Sequence, residues 1–339
     1  MLIPGRAYPA CWSTDVPSAG RPRRVTLGGV PLALFRATDG SPRAAVDACP
    51  HRAHPLSEGR VGPGGLTCAY HGWRFHADGA CIEVPGRRVE VTTSPACLTT
   101  HPARDAHGVT WIAVGAADAA LDVPGISLSA ADDALSFRWA SRFDGALADV
   151  AENILDVAHT AFLHRGLFRS PGRGTSIEAR VTRTAQRIEV DYMGEPVPSG
   201  ILGRVLAPRG GVVTHVDRFV MPCTAQVEYS VGDRLRLIAT TFLSPEASSI
   251  TRALHVVSMA PRWLALVTLP AFAPLAWHVV RQDIRALRLQ SANLARLPNL
   301  RFTSTEVDTL GPHARQMLER AARGAAALPD AEWAVDLHL

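Results

Sequence analysis

Two cysteines and two histidines stand in two short runs, Cys49-Pro50-His51 and Cys68-Ala69-Tyr70-His71, separated by residues 52–67. A chain that brings these four side chains to one metal centre has to fold around two opposed loops. Three readings of the set are open: a four-ligand zinc site, an iron–sulfur cluster, and coincidence in a chain with 13 His and 6 Cys. Zinc fingers usually space Cys from Cys by two to four residues and His from His by three to five. Here each run mixes one Cys with one His. That mixture suits a [2Fe–2S] cluster in which two Cys hold one iron and two His hold the other. Neutral imidazoles in place of anionic thiolates favour reduction of their iron. Such a cluster passes one electron at a time, so it implies a consumer of electrons nearby.

The surroundings narrow the choice. The run CPHRAHPL…CAYHGWRF resembles the cluster-binding loops of Rieske oxygenases. Respiratory-chain Rieske proteins carry an extra, disulfide-forming Cys in each loop; here His54 and Tyr70 occupy the corresponding stretches. The resemblance implies that Cys49, His51, Cys68 and His71 bind a Rieske [2Fe–2S] cluster.

The 339 residues suffice for two domains and a sizeable core. The formal net charge of +4 comes entirely with Arg, since the chain has no Lys. These Arg are scattered, which gives a nucleic-acid role little support. Cys11, Cys81, Cys97 and Cys223 read as reduced structural residues, because six Cys in so long a chain do not make a disulfide scaffold. The N-terminal run MLIPGRAYPACW lacks a basic segment followed by a long apolar one, so no signal peptide is read and a reducing cytoplasm is expected.

Residues 8–115 read as short strands broken by Gly and Pro, including Arg24–Leu27, Val30–Arg36, Ala44–Asp47 and Thr110–Val114. Residues 116–134, rich in Ala, Asp and Pro, read as a linker. A strand at 137–143 then leads into an expected helix from Ala146 to Phe162. Strand-like runs follow at 175–183, 187–192, 212–220, 224–230, 234–243 and 250–259, then a long helix, Arg262–Arg296, and an amphipathic helix, Pro312–Arg323. The expected boundary separates residues 1–120 from 121–339.

The expected helix after the linker carries AENILDVAHTAFLH, with His159 and His164 preceded by Asp156. Alone, such a pair reads as readily as a capping His and a core His. Two imidazoles and a carboxylate, however, form the facial triad of non-haem Fe(II) oxygenases, which leaves positions open for O2. The segment resembles the N-x-x-D-x-x-H-x4-H motif of Rieske non-haem iron oxygenases. With the first motif, it implies an α+β plan: an N-terminal all-β Rieske domain and a C-terminal helix-grip domain of antiparallel sheet plus long helix.

Under that resemblance, His159 and His164 ligate a mononuclear Fe(II), Asp156 links this iron to a cluster His, and Asn153 lies close behind the iron site. The third ligand is expected to be an Asp on the long helix. Asp283 is the choice: it follows an apolar stretch where an unpaired carboxylate is costly. An exposed Asp283 facing Arg285 or Arg288 is the alternative, and Asp308 or Glu306 are the fallback ligands. Many short family members carry Glu before this Asp, whereas here Gln282 stands there.

The resemblance also implies O2-dependent oxidation fed by a separate NAD(P)H-dependent reductase or ferredoxin, in a homotrimer. No Gly-rich dinucleotide fingerprint or plant-type ferredoxin Cys series is present. The short chain leans to the monooxygenase and demethylase branch. Trp263–Val280 lacks Asp, Glu and Arg, and reads as a pocket wall, a membrane-surface contact or a marginal span. The first two favour an apolar substrate. The competing reading is an electron-transfer or scaffold protein without an active mononuclear iron.

Overall fold

The computed structural model describes residues 2–86, 97–115, 121–167, 176–196, 200, 211–232 and 235–338. The chain divides into two compact units, Met1–Val123 with Ser244–Ala247, and Pro124–Leu243 with Ser248–Leu339.

The first unit is built from short antiparallel strands. These are β1 (Tyr8–Trp12), β2 (Arg23–Leu27), β3 (Val30–Arg36), β4 (Pro42–Val46), β5 (Arg60–Gly62), β6 (Gly65–Thr67), β7 (Arg74–Phe75), β8 (Cys81–Glu83), β9 (Thr100–His101), β10 (Ala103–Ala106) and β11 (Val109–Ile112). They form three small sheets, ordered β1-β11-β10, β2-β3-β4-β9 and β5-β6-β7-β8. Phe35, Leu56, Val61, Leu66 and Phe75 make a core that also takes in Cys49 and Cys68. Gly65 shows how closely the third sheet is drawn together. Its φ is +110°, and a Cβ there would lie 2.1 Å from the Phe75 carbonyl oxygen, so only Gly fits the strand beginning just before Cys68.

The second unit is an eight-stranded sheet flanked by helices. In chain order it runs β12 (Leu135–Phe143), α1 (Leu147–Leu155), β13 (Ser176–Arg183), β14 (Arg187–Met193), β15 (Val213–Val220), β16 (Thr224–Val231), β17 (Leu235–Ala247), β18 (Ile250–Ala260), α2 (Arg262–Arg296), α3 (Gly311–Ala322) and β19 (Ala331–His338). Strand order is β12-β18-β17-β16-β15-β14-β13-β19. Strand β12 alternates between more and less exposed positions, whereas β17 and β18 are buried nearly throughout. A near-continuous buried run means that both faces are covered. Ala265 and Phe272 of α2 pack against Val257, Met259 and Leu237 of the sheet. Arg315 of α3 bonds Asp149 and Glu152 of α1, each at 2.7 Å, which ties the two helices together.

Two sequence expectations need correction. The helix expected from Ala146 to Phe162 ends at Leu155, because Asp156 turns extended (φ −84°, ψ 113°) and a 3-10 turn, Ala158–Ala161, follows. The Asp156 side chain drives the change: its Oδ1 accepts the Ala158 N–H at 2.7 Å, an alternative to continuing the helix. The C-terminal strand β19 was not expected. Its Trp333, Val335 and Leu337 alternate with more exposed neighbours, and the strand extends the sheet beyond β13. Part of the expected linker, 116–120, and the first residues of the runs at 175–183 and 234–243 lie outside the described residues.

Candidate active site

In the first unit the two Cys–His runs are built alike. The Cys49 N–H donates to the His54 carbonyl at 2.9 Å, and the Ala53 N–H returns to the Cys49 carbonyl at 2.8 Å. The Cys68 N–H donates to the Trp73 carbonyl at 2.8 Å, and the Gly72 N–H returns to the Cys68 carbonyl at 3.1 Å. Each loop thus closes on itself with the same offsets, and each places a positive-φ residue four positions after its Cys: Ala53 at +54° and Gly72 at +73°. Both Cys are buried, while the His51 and His71 rings stand 4.5 Å apart. Burial pushes the Cys49 thiol up, a cost that a metal removes by taking the thiolate. His51 Nδ1 is buried without a hydrogen-bond partner, and Trp73 stacks on the same ring at 4.7 Å. An orphaned imidazole nitrogen beside two buried Cys fits an iron–sulfur cluster.

In the second unit His159, on the 3-10 turn, and His164, just beyond it, meet Asp283 of α2. One ligand atom from each lies within 4.8 Å of the other two. His159 Nε2 is 3.1 Å from His164 Nε2 and 3.6 Å from Asp283 Oδ1; His164 Nε2 is 3.1 Å from that oxygen. Ligands at about 2.1 Å in neighbouring positions of a six-coordinate metal stand about 3 Å apart, so this triangle suits one face of an octahedron. Asp283 is only 7% exposed, and its Oδ1 is buried without a hydrogen-bond partner. The alternative of an exposed Asp283 therefore fails. Asp308 is engaged elsewhere, accepting the Thr305 N–H at 2.7 Å, and Glu306 is exposed.

The supporting side chains fix the two imidazoles. His164 Nδ1 lies 2.8 Å from Gln282 Oε1, so a neutral ring that donates there presents the Nε2 lone pair to a metal. The amide oxygen at position 282 supplies the acceptor for that ring N–H. Asp156 Oδ2 lies 3.5 Å from His159 Nδ1, across the break in the helix. Burial lowers the affinity of His159 for a proton, but Asp156 and Asp283 outweigh it and hold the ring up at about 9. Burial likewise opposes ionisation of Asp283, and the two His outweigh it. The site is therefore arranged for positive charge between its carboxylates. Asn153 lies on the same cavity wall, with its Oδ1 buried and unpartnered.

These residues line a cavity of about 230 Å³ whose wall is largely aliphatic and aromatic, with Val213, Leu235, Leu237, Val257 and Phe272 among its members. Two polar features of the wall escaped the sequence reading. His255 sits between Ser141 Oγ at 2.7 Å and Thr241 Oγ1 at 2.9 Å and stacks on Trp139; burial pushes it down to about 3, so it stays neutral. Glu195, His215 and Asp217 form a buried chain of hydrogen bonds. The alternation of His215 and Asp217 along β15 was the available signal, since it puts both on one face; Glu195 gave none.

Comparison with known proteins agrees with this architecture. Residues 6–98 match the Rieske [2Fe-2S] domain, and residues 143–324 match the vanillate O-demethylase oxygenase C-terminal domain. The chloroacetanilide N-alkylformylase oxygenase component of Rhizorhabdus wittichii is 31% identical over 265 residues, covering 74% of each chain. A vanillate O-demethylase oxygenase subunit of Pseudomonas sp. is 25% identical over 85% of this chain and 93% of its own. The 3-chlorobenzoate-3,4-dioxygenase oxygenase subunit of Comamonas testosteroni is 32% identical, but the match spans only 37% of that relative and 47% of this chain. In fold, dicamba monooxygenase bound to 3,6-dichlorosalicylic acid superposes with a TM-score of 0.82 at 19% identity, covering 95% of this chain and 98% of its own.

The chain belongs to the Rieske oxygenases, an oxidoreductase family whose cofactors are a Rieske [2Fe–2S] cluster and a mononuclear iron. Exchange of Asp283 for Ala is expected to leave the cluster spectrum intact and to remove the mononuclear iron, cutting turnover at least about 100-fold. Asp308→Ala is expected to keep both iron sites. Metal analysis and the absorption spectrum of the two variants check this, and the opposite pattern contradicts the assignment of Asp283.

Proposed function

We propose that this chain is the terminal component of a monooxygenase, inserting one oxygen atom of O2 into a C–H bond of an apolar substrate. The observation that carries the reading is the buried triangle of His159, His164 and Asp283 opening on an apolar cavity. The balance is one C–H bond, O2, two electrons and two protons giving an alcohol and water. The electrons come from a separate NAD(P)H-dependent reductase or ferredoxin. Names of relatives support the choice within the family: a vanillate O-demethylase and an N-alkylformylase remove groups from oxygen or nitrogen, an outcome that follows when the hydroxylated carbon carries such a heteroatom.

In this reading Cys49, His51, Cys68 and His71 hold the cluster, while His159, His164 and Asp283 hold the iron. Bound iron supplies O2 activation. The protein's own groups do the positioning. Gln282 fixes His164, and Asp156 faces the Nδ1 edge of His159, turning Nε2 toward Asp283. The aliphatic wall desolvates the substrate and keeps bulk water from the reacting bond. An electron carrier alone has no use for a buried, unpartnered carboxylate facing two imidazoles.

The reading extends to a head-to-tail ring of three chains, with Asp156 carrying the electron route between the cluster of one chain and the iron of the next. It extends also to contact with a membrane surface. Trp263, Val267 and Trp277 on the outer side of α2 are 67%, 74% and 53% exposed, between Arg262 and Arg281. Aromatic residues and flanking Arg suit a lipid headgroup layer.

Three measurements check these points. Reductase-supported O2 uptake with product analysis is expected to favour apolar compounds, and oxidation confined to small carboxylates contradicts the substrate reading. Rings mixed from inactive His71→Ala and His159→Ala chains are expected to recover activity; verified mixed rings without activity contradict the cross-chain route. Holoenzyme is expected to co-sediment with anionic phospholipid vesicles and to stop doing so as Trp263→Glu, whereas wild-type protein left in the supernatant contradicts membrane contact.

A further inference from the structure

The cavity wall holds one ionisable cluster that oxygen insertion does not use. Glu195 follows β14, and His215 and Asp217 sit on one face of β15. His215 Nδ1 lies 2.6 Å from Glu195 Oε2, and its Nε2 lies 2.9 Å from Asp217 Oδ1. Ionised carboxylates only accept hydrogen bonds, so a ring held between two of them donates from both nitrogens and is an imidazolium. Its surroundings agree: Tyr192 and Tyr229 cover the ring at centroid distances of 4.5 and 3.9 Å, and aromatic faces favour a cation. The three side chains are at most 2% exposed. They do not form a second metal site, because the two nitrogens of His215 face different carboxylates. Among the described residues the convergent ligand group is the one at His159, His164 and Asp283.

The sign of the charge in this wall points to a substrate class. The permanently charged cations among the side chains are all Arg, and none stands in the described wall of the cavity, where the cationic side chain outside the iron triangle is the His215 imidazolium. Asp156 and Asp283 would be matched by a bound iron dication. Glu195 and Asp217 share one imidazolium. Glu195 holds that ring from Nδ1, which commits Nε2 to Asp217 and fixes the Asp217 carboxylate in the wall. A carboxylate offers about four acceptor sites, of which His215 and the neighbouring Tyr192 hydroxyl take at most two. An anionic ligand entering this apolar space meets carboxylates, with no Arg among the described wall residues to receive it. A cationic one meets a buried acceptor and the Tyr229 ring, both on the cavity wall.

We propose that the substrate is an apolar molecule bearing a basic nitrogen, protonated at neutral pH, whose N–H group docks on Asp217. Asp217 is then a specificity-determining residue, and His215 and Glu195 position it. The proposal rests on the apolar-pocket oxygenase reading above and names the polar end of its substrate.

The test is calorimetric titration of the holoenzyme at neutral pH with three probes of matched shape: 4-phenylbutylamine, 4-phenylbutan-1-ol and 4-phenylbutanoate. The amine is expected to bind at least about tenfold more tightly than the alcohol, with the carboxylate weakest. In Asp217→Asn the amine is expected to fall to the level of the alcohol while alcohol binding stays as in the wild type. Glu195→Gln is expected to narrow the amine preference in the same direction. Circular dichroism and the cluster spectrum report whether each variant is folded; for one that is not, the three-probe comparison on the wild type decides. Amine binding no tighter than alcohol overturns the proposal, as does an amine preference that survives both substitutions. Equal binding of amine and alcohol leaves the apolar pocket standing, whereas failure of all three probes to bind overturns the pocket reading as well.

Discussion

Three ligand atoms held 3.1, 3.1 and 3.6 Å from one another set the terms for the second unit. His159 and His164 come from the turn after α1, and Asp283 from far along α2. A buried carboxylate oxygen without a hydrogen-bond partner is costly unless a cation neutralises it. In the protein alone the cation is a proton: His159 is held up at about 9 by the two Asp around it, against the effect of burial. A divalent metal would replace that proton and could use all three donors at once. The rest of the unit serves to bring these two segments together. The paired Arg315 contacts hold α1 against α3, and the apolar side of α2 packs on the sheet so that Asp283 faces inward.

The same sheet supplies the reaction space. Along β15 to β18, side chains on the cavity side are mostly Val, Leu and Ala, so the wall itself contributes little beyond shape and dryness. Its polar groups are therefore the informative ones, and they differ in kind. His255 is fully satisfied by Ser141 and Thr241 and is neutral. His215 is fully satisfied by Glu195 and Asp217; the two carboxylates outweigh its burial and hold it up at about 9. Two buried imidazoles in one cavity thus carry different charges because their partners are hydroxyls in one case and carboxylates in the other.

What the sequence disclosed followed the distance over which each feature is encoded. The cluster loops were legible because each Cys and its His lie two or three residues apart and turn residues flank them. His159 and His164, five residues apart, were ambiguous alone and were read as ligands only through the resemblance of their segment to the family motif. Asp283 required a longer inference, from the cost of a carboxylate beyond an apolar stretch of helix, and its burial agrees with that reasoning. The break at Asp156 was missed because helical periodicity outweighed the local competition of an Asp side chain for the backbone. Strand β19 was missed because a strand's place depends on its partner, here β13, some 150 residues earlier in the chain. The Glu195–His215–Asp217 chain was invisible because it depends on contacts between strands, which alternation along one strand only hints at.

We propose that the His159–His164–Asp283 triangle holds an iron distinct from the cluster. The most direct measurement is Mössbauer spectroscopy of protein loaded with the 57Fe isotope, joined to metal analysis. Three irons per chain are expected: a pair with the unequal sites of a Rieske cluster, and a single high-spin Fe(II) bound by nitrogen and oxygen alone. Protein that carries a fully loaded cluster but no third iron under reconstitution, or whose third iron has sulfur ligands, contradicts it.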